Sequence, residues 1–251
     1  MRKFGQTVVG MAEPGATTRA LLALERDGID GGGLGQEICQ ACVAGLDVDG
    51  AVLSLLTATP ARVTLWATDP TAALIEELQY DLNEGACIEA ATTGRPVLVS
   101  DMDRSTDTAR WPMFAAAIVE RTPVRALFAL PLQSGSVNLG VLDLYRLRAG
   151  DLSPAQYDDA LEAVAVASQM ICEPNEKLDD DASMGGGWLD DSFSHRVEVH
   201  QATGMVLVQL GIPAPEALAW LRAHAFAQQR QLIDVARDVV ARRLRFTEES
   251  G

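Results

Sequence analysis

His200-Gln-Ala-Thr-Gly-Met-Val-Leu-Val-Gln-Leu-Gly211, then Pro215-Glu-Ala-Leu-Ala-Trp-Leu-Arg-Ala-His-Ala-Phe226, then Leu232-Ile-Asp-Val-Ala-Arg-Asp-Val-Val240 make up most of the C-terminal fifth of this chain. Apolar residues recur along them at helical spacing: Val199, Ala202, Val206 and Leu210, then Leu218, Leu221 and Ala225, then Leu232, Val235, Ala236, Val239 and Leu244. Gly211 stops the first segment, and Pro213-Ala-Pro215-Glu216 opens the second. The spacing predicts three short amphipathic helices, about Ser194–Leu210, Pro213–Gln228 and Leu232–Leu244. Three such helices form a small bundle of marginal independent stability, which packing against a second copy would help. Ala202, Gly204, Ala225 and Ala236 read as packing positions, small because the helices approach closely.

Upstream the composition changes. Glu173–Ser194 holds Pro174, Asp179–Asp181, Gly185–Gly187 and Asp190-Asp191, a stretch with little to bury, and it reads as a linker. Its aspartates have two readings, a solvated tether or an acidic strap over basic residues further on. Before it lies a longer mixed region. Thr17 or Thr18 caps a helix to Arg26, Leu34–Leu46 forms a second helix, and Ala51–Thr57 and Arg62–Thr68 read as strands. A helical patch at Thr71–Gln79, a short strand at Pro96–Ser100 and a helix at Trp111–Val119 follow. Arg125–Gln133 and Val137–Arg146 flank the hairpin signal Ser134-Gly135-Ser136. Ser153-Pro154-x-Gln156 opens a helix to about Ile171, whose apolar stripe suits pairing. The chain is therefore expected to be α+β over residues 16–172, with an antiparallel sheet and flanking helices. A linker over 173–193 and an all-α three-helix bundle over 194–246 complete it.

The net charge of −15 hides a split. From His195 to Phe246 there are seven arginines against four acids, a net of +3, and the remainder carries −18. All three histidines fall in the basic segment. Charge asymmetry of this kind points to a nucleic-acid-binding part joined to a different part. The basic residues there are all arginine, and guanidinium stacks on bases and forks onto phosphate as ammonium cannot.

Other classes are poorly supplied. The 251 residues are 48% hydrophobic and 22% charged, ordinary globular values that argue against wholesale disorder. No apolar run follows Arg2-Lys3, and Ala51–Leu56 and Ala126–Leu132 are too short to cross a bilayer, so a cytoplasmic protein is expected. No Ser-His-Asp set, metal-ligand cluster or phosphate-binding glycine loop stands out, and no enzymatic activity is expected. Cys39, Cys42, Cys87 and Cys172 read first as small buried hydrophobes, and Cys39-x-x-Cys42 also as a redox pair.

Two resemblances sharpen this. The C-terminal stretches, with Q-A-x-G, a glycine stop, E-A-x-x-x-L-R and L-x-D-V-A-x-x-V-V in order, closely resemble the ANTAR domain, over essentially all of 195–246. That resemblance implies a three-helix RNA-binding module of transcription antiterminators, whose dimer binds two tandem hairpins in a nascent transcript and blocks a competing terminator stem. Many family members carry lysine where this chain has Thr203. Residues 16–171 resemble a GAF domain through Glu84-Gly-Ala-Cys-Ile-Glu-Ala-Ala-Thr-Thr-Gly-Arg-Pro-Val97, Asp101, Arg110-Trp-Pro-x-Phe114, Ala129-Leu-Pro-Leu132 and Gly140-x-Leu-x-Leu-Tyr145. This implies a sensory domain for a small-molecule or protein signal that the sequence does not name. The cyclic-nucleotide signature of the family is missing, residues 1–194 hold no histidine for haem, and Cys87 is the one candidate for bilin attachment, so no cofactor is expected.

The expected RNA contacts are Arg222 and His224 in the second helix, Arg230, Arg237 and Arg242 in or beside the third, and Gln201 and Thr203 in the first. Any one arginine also reads as a solvated helix face; the set is what points to RNA. Trp220 and Phe226 read as packing residues or as platforms for bases. The expected partners are RNA stem-loops and a second copy of the chain. Two competing readings are a thiol redox enzyme resembling methionine sulfoxide reductases, through Cys39, Cys42 and Cys87, and a DNA-binding regulator. The latter lacks a clear recognition helix after a tight turn.

Overall fold

The near-continuous apolar runs at 50–56, 126–134 and 137–146 have a structural cause: they build a sheet that is covered on both faces. The computed structural model describes residues 13–27, 33–56, 62–104, 106–172, 187–228 and 230–247. Strands β1 (Gly50–Leu56), β2 (Arg62–Ala67), β3 (Val97–Val99), β4 (Ala126–Ser134) and β5 (Val137–Arg146) pair antiparallel in the order β2-β1-β5-β4-β3. Side chains alternate along each strand. Ala51, Leu53, Phe128, Leu130, Leu142 and Leu144 pack against helices α1 (Ala16–Asp27), α2 (Leu34–Leu46) and α6 (Pro154–Cys172). Val52, Leu127, Ala129, Val141 and Tyr145 face the other way, toward α3 (Pro70–Leu82), α4 (Ala86–Thr93) and α5 (Pro112–Arg121). The expected α+β domain is thus a three-layer sandwich around one antiparallel sheet.

Helix ends are closed partly by local signals and partly from afar. At α6 the backbone N–H of Ser153 donates to Gln156 Oε1 (2.9 Å) and that of Gln156 to Ser153 Oγ (3.3 Å), the reciprocal cap expected of Ser-Pro-x-Gln. Asp69 accepts the Ala72 N–H at the start of α3 (2.9 Å). The start of α5 is served by Glu84, thirty residues away, whose carboxylate accepts from the amides of Met113 (3.0 Å) and Phe114 (3.2 Å). Helix α1 departs from expectation. Thr17 and Thr18 do not cap it; their amides donate instead to Asp159 of α6, at 3.0 Å each. The two helices are stapled so closely that a Cβ on Gly15 would lie 2.0 Å from the Asp159 carboxyl carbon.

Cys39 and Cys42 lie in the core under α2 and Cys87 in the core on the opposite face. Burial raises the pKa of the Cys39 thiol and pushes that of Cys42 up to about 12, so both stay protonated. Cys172, also expected to be buried, is exposed at the end of α6.

The C-terminal bundle consists of α7 (Gly187–Leu210), α8 (Ala214–Ala227) and α9 (Leu232–Val240). Helix α7 begins within the stretch expected to be linker; residues 173–186, and the side chains of 187–196, lie outside the described residues, and with them Asp179–Asp181 and the Asp190-Asp191 carboxylates. The 105° bend between α7 and α8 follows Gly211, which adopts φ +67°. Val199, Ala202, Val206, Leu218, Leu221, Ala225, Val235, Ala236 and Val239 meet in the core. Gly204 does not share in it: a Cβ there would touch nothing within 4 Å. Helix α9 stops at Val240, four residues before the expected end. Arg242 turns into the left-handed region (φ 59°), the amides of Arg243 and Leu244 return to the Asp238 carbonyl, and the chain folds back to seat Phe246 against Trp220 and His224. Among the described residues no single helix is long and apolar enough to cross a membrane.

The buried Asp159 staple generates a pH-dependent prediction. Desolvation raises its pKa, but the hydrogen bonds from Thr18 and Thr17 outweigh this and hold it below its ordinary value of 3.8. A carboxylate with a depressed folded-state pKa stabilises the fold above its unfolded value and loses that contribution as pH falls through the folded one. Asp159→Asn is expected to lower unfolding free energy by about 1–3 kcal/mol at pH 7. In urea titrations the gap to the parent should narrow at pH 3.

Candidate nucleic-acid interface

Three of the C-terminal arginines, Arg230, Arg237 and Arg243, are held at the surface by neighbours of opposite charge. Arg230, in the turn between α8 and α9, donates to Asp238 Oδ2 (2.7 Å) and to the Asp234 carbonyl (3.2 Å). Arg243 donates to the other oxygen of Asp238 (2.7 Å), so one carboxylate orients two guanidiniums. The hydrogen bonds from Arg230 and then Arg243 lower the Asp238 pKa. Arg237 spans from α9 to Glu198 of α7 (2.8 Å) and lies 4.0 Å from Asp234. Arg242 and Arg245 are exposed beyond the end of α9. Exposed pairs of this kind are screened by solvent and contribute little, so a phosphate can take over the guanidinium at small cost.

Of the other expected contacts, Gln201 is exposed on α7. Thr203 is turned inward, buried, with its hydroxyl donating to the Val199 carbonyl one turn back (2.7 Å). This differs from the expected outward contact: the threonine side chain is short enough to satisfy itself on its own helix. His224 is half-buried with its ring edge-on to Phe246, 5.2 Å between centroids. Phe226 is 65% exposed at the end of α8, and Trp220 packs on Phe246. On α7, Val197 and Val208 are exposed on the same side as the open Gly204.

Arg222 makes the contact that periodicity could not foresee. Its Nη2 donates to the carbonyl of Tyr80 in α3 of the N-terminal domain (2.6 Å), and its guanidinium lies 5.4 Å from the Tyr80 ring centroid. Carbonyls in the last turn of a helix lack intrahelical donors and carry the negative end of the helix dipole, so an arginine there caps α3. The Tyr80 ring, 4% exposed, belongs to the core of the bundle and meets His200 edge-on at 6.5 Å. Beside this contact the two domains enclose a groove of about 380 Å³, walled by Leu78, Leu82 and Arg121 on one side and by Arg222, Phe226 and Arg230 on the other.

One residue before Tyr80, α3 points into the N-terminal domain. Gln79 donates to Asp143 of β5 (3.0 Å) and accepts the Cys87 N–H (2.7 Å). The ligand atoms of Glu76, Cys87 and Asp143, all buried, lie within 4.8 Å of one another, close enough to hold a cation among the described residues of this domain. Cys87, which the sequence offers first as a small hydrophobe and also as a bilin or redox cysteine, meets Glu76 and Asp143 here because its partners come from other elements.

The GAF domain family model matches residues 32–171 and the ANTAR domain model matches residues 189–240. Similar solved structures include the GAF domain of a phosphoenolpyruvate-protein phosphotransferase from Coxiella burnetii, at 11% identity, covering 62% of this chain and 92% of that one with a TM-score of 0.46. The corresponding GAF domain from Acinetobacter is 13% identical over 68% and 95% of the two chains, TM-score 0.46. Free methionine-R-sulfoxide reductase from Neisseria meningitidis is 14% identical over 61% and 86%, TM-score 0.41. No curated protein sequence matches the chain.

The Arg222 cap predicts coupled stability. Arg222→Met keeps the aliphatic stem but removes the donor, and is expected to cost about 1.5–3 kcal/mol in chemical unfolding. Hydrogen exchange in the last turn of α3 should rise in the same variant, while exchange in β4 and β5 stays unchanged.

Proposed function

Because the chain belongs to the GAF family and closes with an ANTAR domain, we propose that it is a signal-responsive transcription antiterminator whose ANTAR dimer holds two tandem hairpins of a nascent transcript and keeps a terminator stem from forming. It is a regulator with a signal-sensing GAF domain and an RNA-binding ANTAR output. The observation that carries the finer reading is the rank of exposed guanidiniums, Arg230, Arg237, Arg242, Arg243 and Arg245, around the end of α9 in an otherwise acidic chain. Sequence-specific RNA recognition targets unstacked loop bases, which arginine both stacks on and hydrogen-bonds. Gln201 adds a polar contact from α7. Of the α8 residues, Arg222 lines the groove beside Arg230, whereas His224 lies on the other side of the helix against Phe246, next to Arg245. Thr203, being buried, serves packing.

The exposed stripe of Val197, Gly204 and Val208 supports pairing of α7 with a second copy, since the open glycine lets two helices approach closely. The signal enters through the GAF interior. Gln79 and Tyr80 are consecutive on one rigid helix, so a rearrangement around Asp143 and Cys87 reaches Arg222 directly. Action on nascent transcripts requires the cytoplasm. The protonated Cys39 and Cys42, across the sheet from Cys87, count against thiol redox catalysis.

Binding of tandem-hairpin RNA, measured against duplex DNA of equal length, tests this reading. If ~4 phosphates are contacted per module, log affinity should fall with log salt at a slope of about −3. Arg242→Gln and Arg245→Gln should each weaken RNA binding several-fold with unchanged thermal stability. Equal affinity for duplex DNA, or a slope near zero, would overturn it.

A further inference from the structure

We propose that the groove between the two domains is part of the RNA site, with Arg121 of the GAF domain contacting an RNA phosphate and Phe226 stacking on a looped-out base. The inference rests on the reading that the bundle binds RNA loops, and it adds that the sensory domain contributes a contact of its own.

Charge is the first reason. Among the described residues Arg121 at the end of α5, Arg222 and Arg230 line the groove with one carboxylate, that of Asp81, and Arg230 is paired with Asp238 behind the wall, in a chain of net charge −15. A local reversal of sign in so acidic a molecule selects for an anion. The second reason is shape and polarity. Phe226, 65% exposed, offers a free aromatic face at the rim, and Leu78 and Leu82 give an apolar floor. At about 380 Å³ the groove accepts one nucleotide unit and is too small for a duplex. An aromatic platform beside guanidinium groups is the arrangement that holds single-stranded nucleic acid. The third reason is continuity. Arg230 lines the groove and, through Asp238, stands next to Arg243, so the groove opens onto the arginine rank around α9. Tyr80 is a positioning residue here: its carbonyl and ring fix the plane of Arg222 at the groove wall.

The test uses the full-length protein, a tandem-hairpin RNA with unpaired loop bases, and the variants Arg121→Gln, Arg121→Lys, Phe226→Ala and Arg242→Gln. Arg121 and Phe226 are exposed, so these changes leave the fold intact, which circular dichroism and thermal melts verify. Arg121→Gln should weaken binding several-fold and flatten the salt dependence by about 0.7, the single-strand value for one phosphate. Arg121→Lys should keep the slope. Phe226→Ala should weaken binding by roughly five- to hundredfold, as expected for loss of one stacked base. If Arg121→Gln and Phe226→Ala bind like the parent while Arg242→Gln is weakened, the groove lies outside the RNA site, and this inference fails while the proposed function stands. If the parent itself binds no such RNA, the proposed function fails. Tighter binding by Arg121→Gln would mean that the sensory domain masks the RNA site, and would also overturn the inference. So would loss of nucleoside monophosphate binding in Arg121→Gln with RNA binding intact, which assigns the groove to a small ligand.

Discussion

The contact on which the working arrangement of this molecule depends is the one between Arg222 and the end of α3. A helix presents unsatisfied carbonyls at its C-terminus, and a cation placed there gains both a hydrogen bond and a favourable dipole. The GAF domain uses the same device internally. Arg146, 4% exposed, donates to the carbonyls of Leu46 and Asp47 at the end of α2 and to that of Asp151. What distinguishes Arg222 is that helix and arginine belong to different domains, so closing the helix also docks the bundle. Tyr80 enters the bundle core as part of the same contact.

Magnitudes separate the arginines that hold the structure from those available to a ligand. Arg146 is buried with four acceptors, and removing it would strand desolvated carbonyls at about 1–3 kcal/mol each. Arg230, Arg237 and Arg243 sit in exposed pairs that contribute little net stability. Their carboxylate partners hold the guanidiniums in place without binding them tightly. Asp238, ionised and shared by two arginines, resembles a placeholder for phosphate more than a structural clamp.

The GAF domain is an unusual place for polar groups, because its sheet is covered on both faces. Glu76, Gln79, Cys87 and Asp143 nevertheless meet in one of its two cores. They lie on α3, α4 and β5, and α3 is the helix that ends at Arg222. The domain's most polar interior point and its contact with the RNA-binding bundle are therefore joined by about one helical turn.

Local periodicity and composition were enough to locate the hairpin at Ser134–Ser136, the Ser153/Gln156 cap, the apolar faces of the bundle helices and the basic character of the last fifty residues. These are legible because each depends on residues within about one turn or one strand repeat of each other. The Q-A-x-G and L-x-D-V-A patterns and the GAF motifs likewise carried the family. Tertiary structure alone decided the rest. It brought Asp159 to Thr17 and Thr18, turned Thr203 inward, ended α9 at Val240 so that Phe246 could fold back, and set Arg121 and Tyr80 beside Arg222. Those partners are separated by up to about 140 residues along the chain, and their meeting depends on how packed layers close in space, for which no local spacing is a signal.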